Sequence, residues 1–161
     1  MRIGVVSDTH NNLKNVARIV ELFNAARVER VIHTGDITQA KTVGMFAGLT
    51  APLWGVFGNN DQERETLEAA IAECGFSFVD PPLQLYWHER RIVVVHDPRD
   101  LEHALDADHH VALHGHTHHH RLERSGARLI FNPGECAGHM EGYNAVGVVD
   151  LESLDAEILR F

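Results

Sequence analysis

Two cysteines in 161 residues are too few for a disulfide framework, and Cys74 and Cys136 sit in ordinary surroundings. No apolar stretch approaches the roughly 18 residues needed to cross a bilayer. Met1-Arg2-Ile3-Gly4 leads straight into an apolar run, without the basic, apolar, small-residue order of a signal peptide. Lys and Arg never gather into a run, and their 14 positive charges face 23 from Asp and Glu, a formal net charge of −9. The electrostatic footprint of a protein that grips long nucleic acid is therefore missing. Repeats, linkers and low-complexity tracts are missing too. These absences leave an expectation of one domain over residues 1–161, soluble in a reducing cytoplasm and with no membrane partner. Such a length buries about two-thirds of its unfolded surface unaided, and nothing in it speaks against a homo-oligomer.

What the chain has in quantity is histidine, 13 in all. Val5-Val6-Ser7-Asp8-Thr9-His10 is an apolar run that stops abruptly and delivers a carboxylate and an imidazole two residues apart. In extended backbone, residues i and i+2 share a face, so Asp8 and His10 are expected to grip one metal ion together. An isolated Asp-x-His is usually a polar loop after a strand. Here further apolar runs end in the same way, at Asp36, at Asn59 and at His96, and the last run is followed by His116-Thr117-His118.

The pattern predicts a strand over 2–7, an amphipathic helix over 12–27 with Asn11 or Asn12 as N-cap, and a short strand over 31–33. In the first helix Leu13, Val16, Ala17, Val20, Phe23 and Ala26 are expected on the core side. A helix over 39–49, a strand over 53–57 and a helix over 62–74, closed by Gly75, complete three β-α units. Such alternation implies a mainly parallel sheet with function at the carboxyl ends of its strands. After Gly75 the texture changes to strands over 76–79, 83–88 and 92–95, with Glu89-Arg90-Arg91 as a tight turn. A short helix over 98–105, a strand over 111–113, a hairpin around Ser125-Gly126 and a final pair of strands over 145–151 and 156–161 follow.

One sheet edge would thus collect Asp8, His10, Asp36, Asn59, His96, His116 and His118. A shared carboxylate such as Asp36 suits two cations, one per oxygen, and Asn59 offers a neutral amide oxygen. Mixed carboxylate, amide and imidazole donors suit Mn, Fe, Zn, Ni or Co better than Mg or Ca. Without a thiolate the set does not read as a structural zinc site. His33, His88, His103, His109 and His110 lack motif context and read as structural or solvent-facing. His119 and His120 are expected at the rim, and His139, between Gly138 and Gly142, can approach from a loop.

In this order, Asp8-Thr9-His10, Gly35-Asp36, Gly58-Asn59-Asn60-Asp61, His96 and Gly115-His116-Thr117-His118 resemble the motifs of the calcineurin-like metallophosphoesterases. The length is similar to that of their small bacterial and archaeal phosphodiesterase branch, as is Asn132-Pro133-Gly134. The resemblance implies a four-layer αββα sandwich with two central mixed sheets and a dinuclear metal site at the strand ends. One ion would be held by Asp8, His10, Asp36 and His118, and the other by Asp36, Asn59, His96 and His116, with Mn²⁺ the first expectation. It further implies hydrolysis of a small phosphoester, with the two metals activating a water that attacks phosphorus in line. Phosphomonoesters or nucleic acids are alternative substrates. A relative of the same fold in retromer is a protein-binding scaffold, but that reading requires a degraded metal site, and every position here carries a competent ligand.

Two positions depart from the resemblance. Asn60 stands where many relatives have a proton-donating His, backed by the equivalent of Asp61. Asp97 stands where relatives place Gly, and Asp tolerates left-handed backbone better than most residues. Asn60 cannot donate a net proton, although it can hydrogen-bond a phosphoryl oxygen. The enzyme should therefore favour aryl leaving groups, which depart as anions, over alkyl or sugar alcohols. Restoring a positioned acid with Asn60→His should accelerate poor leaving groups up to about 10²–10⁴-fold and good ones far less. Rates across a leaving-group series measure this as a shallower dependence on leaving-group pKa.

Overall fold

The computed structural model describes residues 1–161. β1 (Arg2–Val6), β2 (Arg30–His33), β3 (Leu53–Val56) and β4 (Ser77–Val79) form the parallel part of a six-stranded sheet. β10 (Ala145–Asp150) and β11 (Ala156–Arg160) extend it antiparallel, in the order β11-β10-β1-β2-β3-β4. β5 (Leu83–Trp87), β6 (Arg90–Val94), β7 (Val111–Leu113), β8 (Arg121–Ser125) and β9 (Arg128–Asn132) make a second mixed sheet, ordered β5-β6-β7-β9-β8.

The alternation of side chains along each strand explains the layering. Ile3 and Val5 point between the sheets and meet Val94, Leu113, Leu129 and Phe131 of the second sheet. Val6 points the other way, into a core with Val16, Ile19 and Phe23 of α1 (Leu13–Ala26), Val43 of α2 (Ala40–Met45) and Leu67 of α3 (Arg64–Glu73). On the outer face of the second sheet, Val93, Ala112 and Ile130 pack beneath Leu101 of the four-residue α4 (Leu101–Ala104). Helices, two mixed sheets and a thin helical cover give the αββα order.

Helix α1 starts as the sequence suggests, with the Asn12 side chain accepting from Asn15 N at 3.1 Å. Its fully buried residues are Val16, Ile19 and Phe23, however, so the core stripe runs through Ile19, which the expected face omitted, while Leu13, Ala17, Val20 and Ala26 are half-buried. The turn between β5 and β6 also differs from expectation. Trp87 pairs with Arg90, so the turn is His88-Glu89, both at positive φ (50° and 59°), the two-residue hairpin geometry whose twist matches the strands.

Between the sheets the guanidinium of Arg30 lies 4.9 Å from the Trp54 ring and 4.8 Å from that of Trp87, and the two indoles meet edge to face at 4.9 Å. Trp54 belongs to one sheet and Trp87 to the other, so the cluster bridges both. At Gly147 the sheets come closer still: a Cβ there would run into the ring of Phe131 in the opposite sheet. Gly147→Ala should therefore lower stability by about 1–3 kcal/mol through overpacking, read as a lower urea midpoint of the metal-free protein.

Candidate metal centre

Asp8 and His10 lie beyond the end of β1, so strand alternation does not bring them together as the spacing argument supposed. Both residues have left-handed backbone, at φ 50° and 45°. The turn is anchored to the next strand end by Asp8 N donating to Gly35 O at 3.1 Å and His10 N donating to Asp36 O at 2.9 Å. Asp36, His116 and His118 are left-handed too, at φ 61°, 67° and 58°. Each chain segment turns sharply as it leaves its strand, and the turns converge.

The convergence brings ligand types into range. Donor atoms of Asp8, His10 and His118 lie within 4.8 Å of one another, as do those of Asp8, Asp36 and His96. His118 Nε2 is 3.4 Å from Asp8 Oδ1, His10 Nε2 is 3.7 Å from Asp36 Oδ2, and His96 Nε2 is 3.5 Å from the same oxygen. Asn59 Oδ1 lies 2.9 Å from His96 Nε2 and 3.0 Å from His116 Nδ1. All seven residues singled out as metal ligands thus face one region, with Asp36 between the two groups. Asp8 Oδ1 and His10 Nε2 are buried and have no hydrogen-bond partner.

The surrounding bonds fix which atoms are offered. His96 Nδ1 donates to Thr34 O at 2.9 Å, so Nε2 is the atom that faces Asp36 and Asn59. Asp8 Oδ2 accepts from the Ser7 hydroxyl and, at 3.0 Å, from His116 N, leaving Oδ1 free to point inward. Gly115 is required here: a Cβ would collide with Ser7 Oγ and approach Asp8 Oδ2 to 2.8 Å.

Electrostatics follow burial and partners. Burial raises the pKa of Asp8 against the opposing Ser7 hydrogen bond. Burial also works against ionisation of Asp36, but hydrogen bonds from His96 and Asn60 outweigh it and hold this carboxyl below the usual range. Burial lowers the pKa of His10, and drives that of His33 down to about 3. His33 is a structural histidine: Gly35 N donates to its Nδ1 at 3.1 Å, and its Nε2 bonds Thr9 Oγ1 at 2.9 Å, tying together the loops that carry Asp8 and Asp36.

Asn60 turns toward Asp36, its Nδ2 donating to Oδ2 at 2.7 Å and its backbone N to Oδ1 at 2.9 Å. Asp61 is 4 % exposed and both its oxygens are engaged by backbone: Thr38 N at 2.6 Å, Gly58 N at 2.6 Å and Asp36 N at 3.0 Å. It clamps the Asp36 loop to the Asn59 loop. Asp97 does not adopt left-handed backbone. At φ −82° and ψ 125° it caps the Pro98–Asp100 turn, and Arg99, which holds its pKa down to about 2, grips it while its Oδ2 lies 3.7 Å from His116 Nε2.

Several residues went unnoticed in the sequence. His114, the one histidine given no reading there, is buried with its Nε2 unpartnered. Fully buried Glu135 reaches His118, and its only sequence signal is its place directly after Asn132-Pro133-Gly134. His139 does approach from its loop, its ring centroid 5.3 Å from that of His10 and 5.2 Å from that of His118. His119 and His120 are exposed, His120 standing edge-on to Phe131. Beside the centre opens a cleft of about 570 Å³, walled by Asn59, His96, Arg64, Arg99, His116 and, as its one hydrophobic residue, Phe57 beneath the Arg64 guanidinium.

Residues 1–154 match the model of the calcineurin-like phosphoesterase superfamily domain. The chain is 33 % identical over 156 residues to a Methanocaldococcus jannaschii protein named as a phosphodiesterase, covering 94 % of each. A solved archaeal phosphodiesterase superposes with a TM-score of 0.92 at 31 % identity over the whole of both chains. The Escherichia coli phosphoesterase YfcE (TM-score 0.73, 21 % identity, 99 % of this chain and 98 % of that one) shares the fold. So does Vps29 of Entamoeba histolytica (TM-score 0.66, 15 %, 100 % and 99 %).

The clamp formed by Asp61 is open to test. In Asp61→Asn one of the two oxygens becomes an NH₂ facing backbone N–H donors. Stability should fall by about 1–3 kcal/mol, measured by urea unfolding of the metal-free protein.

Proposed function

The chain belongs to the calcineurin-like phosphoesterase superfamily, and from that premise we infer that it hydrolyses small phosphodiesters using two divalent transition-metal ions, Mn²⁺ foremost. The observation that carries the reading is the pair of buried, unpartnered atoms Asp8 Oδ1 and His10 Nε2 inside a cluster of further ligand types. Left alone, such atoms destabilise a fold; a cation between them turns the same arrangement into a favourable one. The donor set fits one ion held by Asp8, His10, Asp36 and His118, and a second held by Asp36, Asn59, His96 and His116. When bound, such ions supply an activated water and charge stabilisation for the phosphoryl oxygens.

The protein's own groups prepare that chemistry. The Thr34 carbonyl fixes the His96 tautomer, and Asp61 holds the Asp36 and Asn59 loops in register rather than touching substrate. Asn60 donates to both oxygens of Asp36; its amide reaches a phosphoryl oxygen only by turning away from Asp36, and it donates no net proton. The cleft receives the rest of the substrate against walls that are almost entirely polar, which suits a hydroxyl-rich ester group better than a lipid. Preference for a phosphodiester rests on the name phosphodiesterase carried by the archaeal protein and the archaeal structure that the chain resembles. The net charge of −9 argues against long nucleic acid. No helix is long and apolar enough to cross a membrane, and two free cysteines suit a reducing cytoplasm. The scaffold role of a retromer-type relative is the second reading, and the complete ligand set weighs against it.

Chelation should abolish phosphodiester hydrolysis and Mn²⁺ should restore it, with Mg²⁺ a poor substitute. Activity should fall as pH drops, because protonation of an imidazole removes the lone pair that would hold metal. Asp36→Asn should lose both ions by elemental analysis, whereas His96→Ala should lose chiefly one. Metal-independent hydrolysis, or a fully metallated protein that hydrolyses no phosphoester, overturns the reading.

A further inference from the structure

Glu135 is 0 % exposed, yet no Lys or Arg pairs with it; its ionisable partners are two imidazoles. Oε1 accepts from Met140 N at 2.8 Å, and Oε2 lies 3.4 Å from His118 Nδ1 and 3.9 Å from His139 Nδ1. A buried carboxylate is tolerated only when hydrogen bonds or charges satisfy it. The segment that brings it here is firmly held. Asn132 donates from Nδ2 to Gly115 O and Thr117 Oγ1, both at 3.2 Å, and accepts from Gly134 N at 2.9 Å. Gly134, at φ 111°, then turns the chain so that Glu135 arrives behind His118.

We propose that Glu135 is a positioning residue for the metal centre: it holds His118 in the tautomer that carries its proton on Nδ1, so that Nε2 presents a lone pair beside the unpartnered Asp8 Oδ1. A carboxylate only accepts, so the shared proton belongs to His118. The arrangement polarises the imidazole and raises its basicity as a ligand. The inference rests on the reading of His118 as a ligand. The ring of His139 lies parallel to that of His118 at an interplanar angle of 8°, and donor atoms of His118, Glu135 and His139 lie within 4.8 Å of one another; His139 stays at the rim, without a metal of its own.

The decisive variant is Glu135→Gln. Its single carbonyl oxygen is claimed by Met140 N, which turns the NH₂ toward His118 and forces the proton onto Nε2. Titration of the chelator-stripped protein with Mn²⁺ alone, followed by calorimetry, should show one of the two ions bound about 10–100-fold more weakly and the other within about threefold of wild type. Nitrogen NMR of the imidazoles should show the His118 proton moved from Nδ1 to Nε2. His139→Ala should bind both ions as wild type does. Wild-type Mn²⁺ binding by Glu135→Gln, together with loss of an ion in His118→Ala, overturns the role of Glu135 alone. Retention of both ions by both variants overturns the ligand assignment and this inference with it. Three ions in the wild type and two in both Glu135→Gln and His139→Ala would make Glu135 a ligand, and equally overturn it.

Discussion

The carboxylate of Asp8 is the constraint on which the centre depends. It is wholly buried, and its neighbourhood draws on separate parts of the chain. Ser7 and His116 N engage one oxygen, Gly35 O accepts from its backbone N–H, and Cys136 N donates to its carbonyl at 3.3 Å. The ends of β1, β2 and β7 and the segment after β9 are thereby tied to one residue, across both sheets. Burying this group is unfavourable by itself. It is held because the strands behind it are buried on both faces, and because Gly115 lets the second sheet's loop come close.

The left-handed backbone of Asp8, His10, Asp36, His116 and His118 adds a second burden, of order 1–3 kcal/mol per residue for backbone held in sparsely populated regions. Such angles normally favour Gly or Asn. Here Asp and His occupy them, and the sharp turn after each strand keeps these side chains at the sheet's carboxyl edge. Asp61 and His33 brace the Asp8 and Asp36 turns, accepting from backbone N–H groups and, at His33 Nε2, bonding Thr9 Oγ1. Left-handed turns, bracing residues and the buried, unpartnered Asp8 Oδ1 and His10 Nε2 form one interdependent unit.

Much of this was legible from the order of residues. The β-α repetition through Gly75, the change of texture beyond it and the polar endings of the apolar runs point to the layers and to the ligand types. A left-handed turn, not the pleat of a strand, sets Asp8 and His10 together; Asp and His enter left-handed backbone more readily than most residues, but that tendency does not say which of them will do so. Ile19 lies off the expected face, and packing buries it while leaving Leu13, Ala17, Val20 and Ala26 half-covered. The clamp made by Asp61 and the reach of Glu135 to His118 depend on residues distant in sequence, so their neighbours carry no sign of them, whereas Asp97 is engaged by Arg99 two residues on. Glu135 in particular reads as a surface glutamate until the turn at Gly134 carries it inward.

The cluster of Arg30 with Trp54 and Trp87 has an optical consequence. These are the chain's only two tryptophans, they sit one on each sheet, and they touch at an angle with a cation against both. Their coupled near-ultraviolet dichroism and their emission therefore report a single quantity, the closure of the sandwich. Neither indole lines the cleft beside Asn59, His96 and His116, so the natural fluorescence of the protein reports separation of its layers rather than events in that cleft.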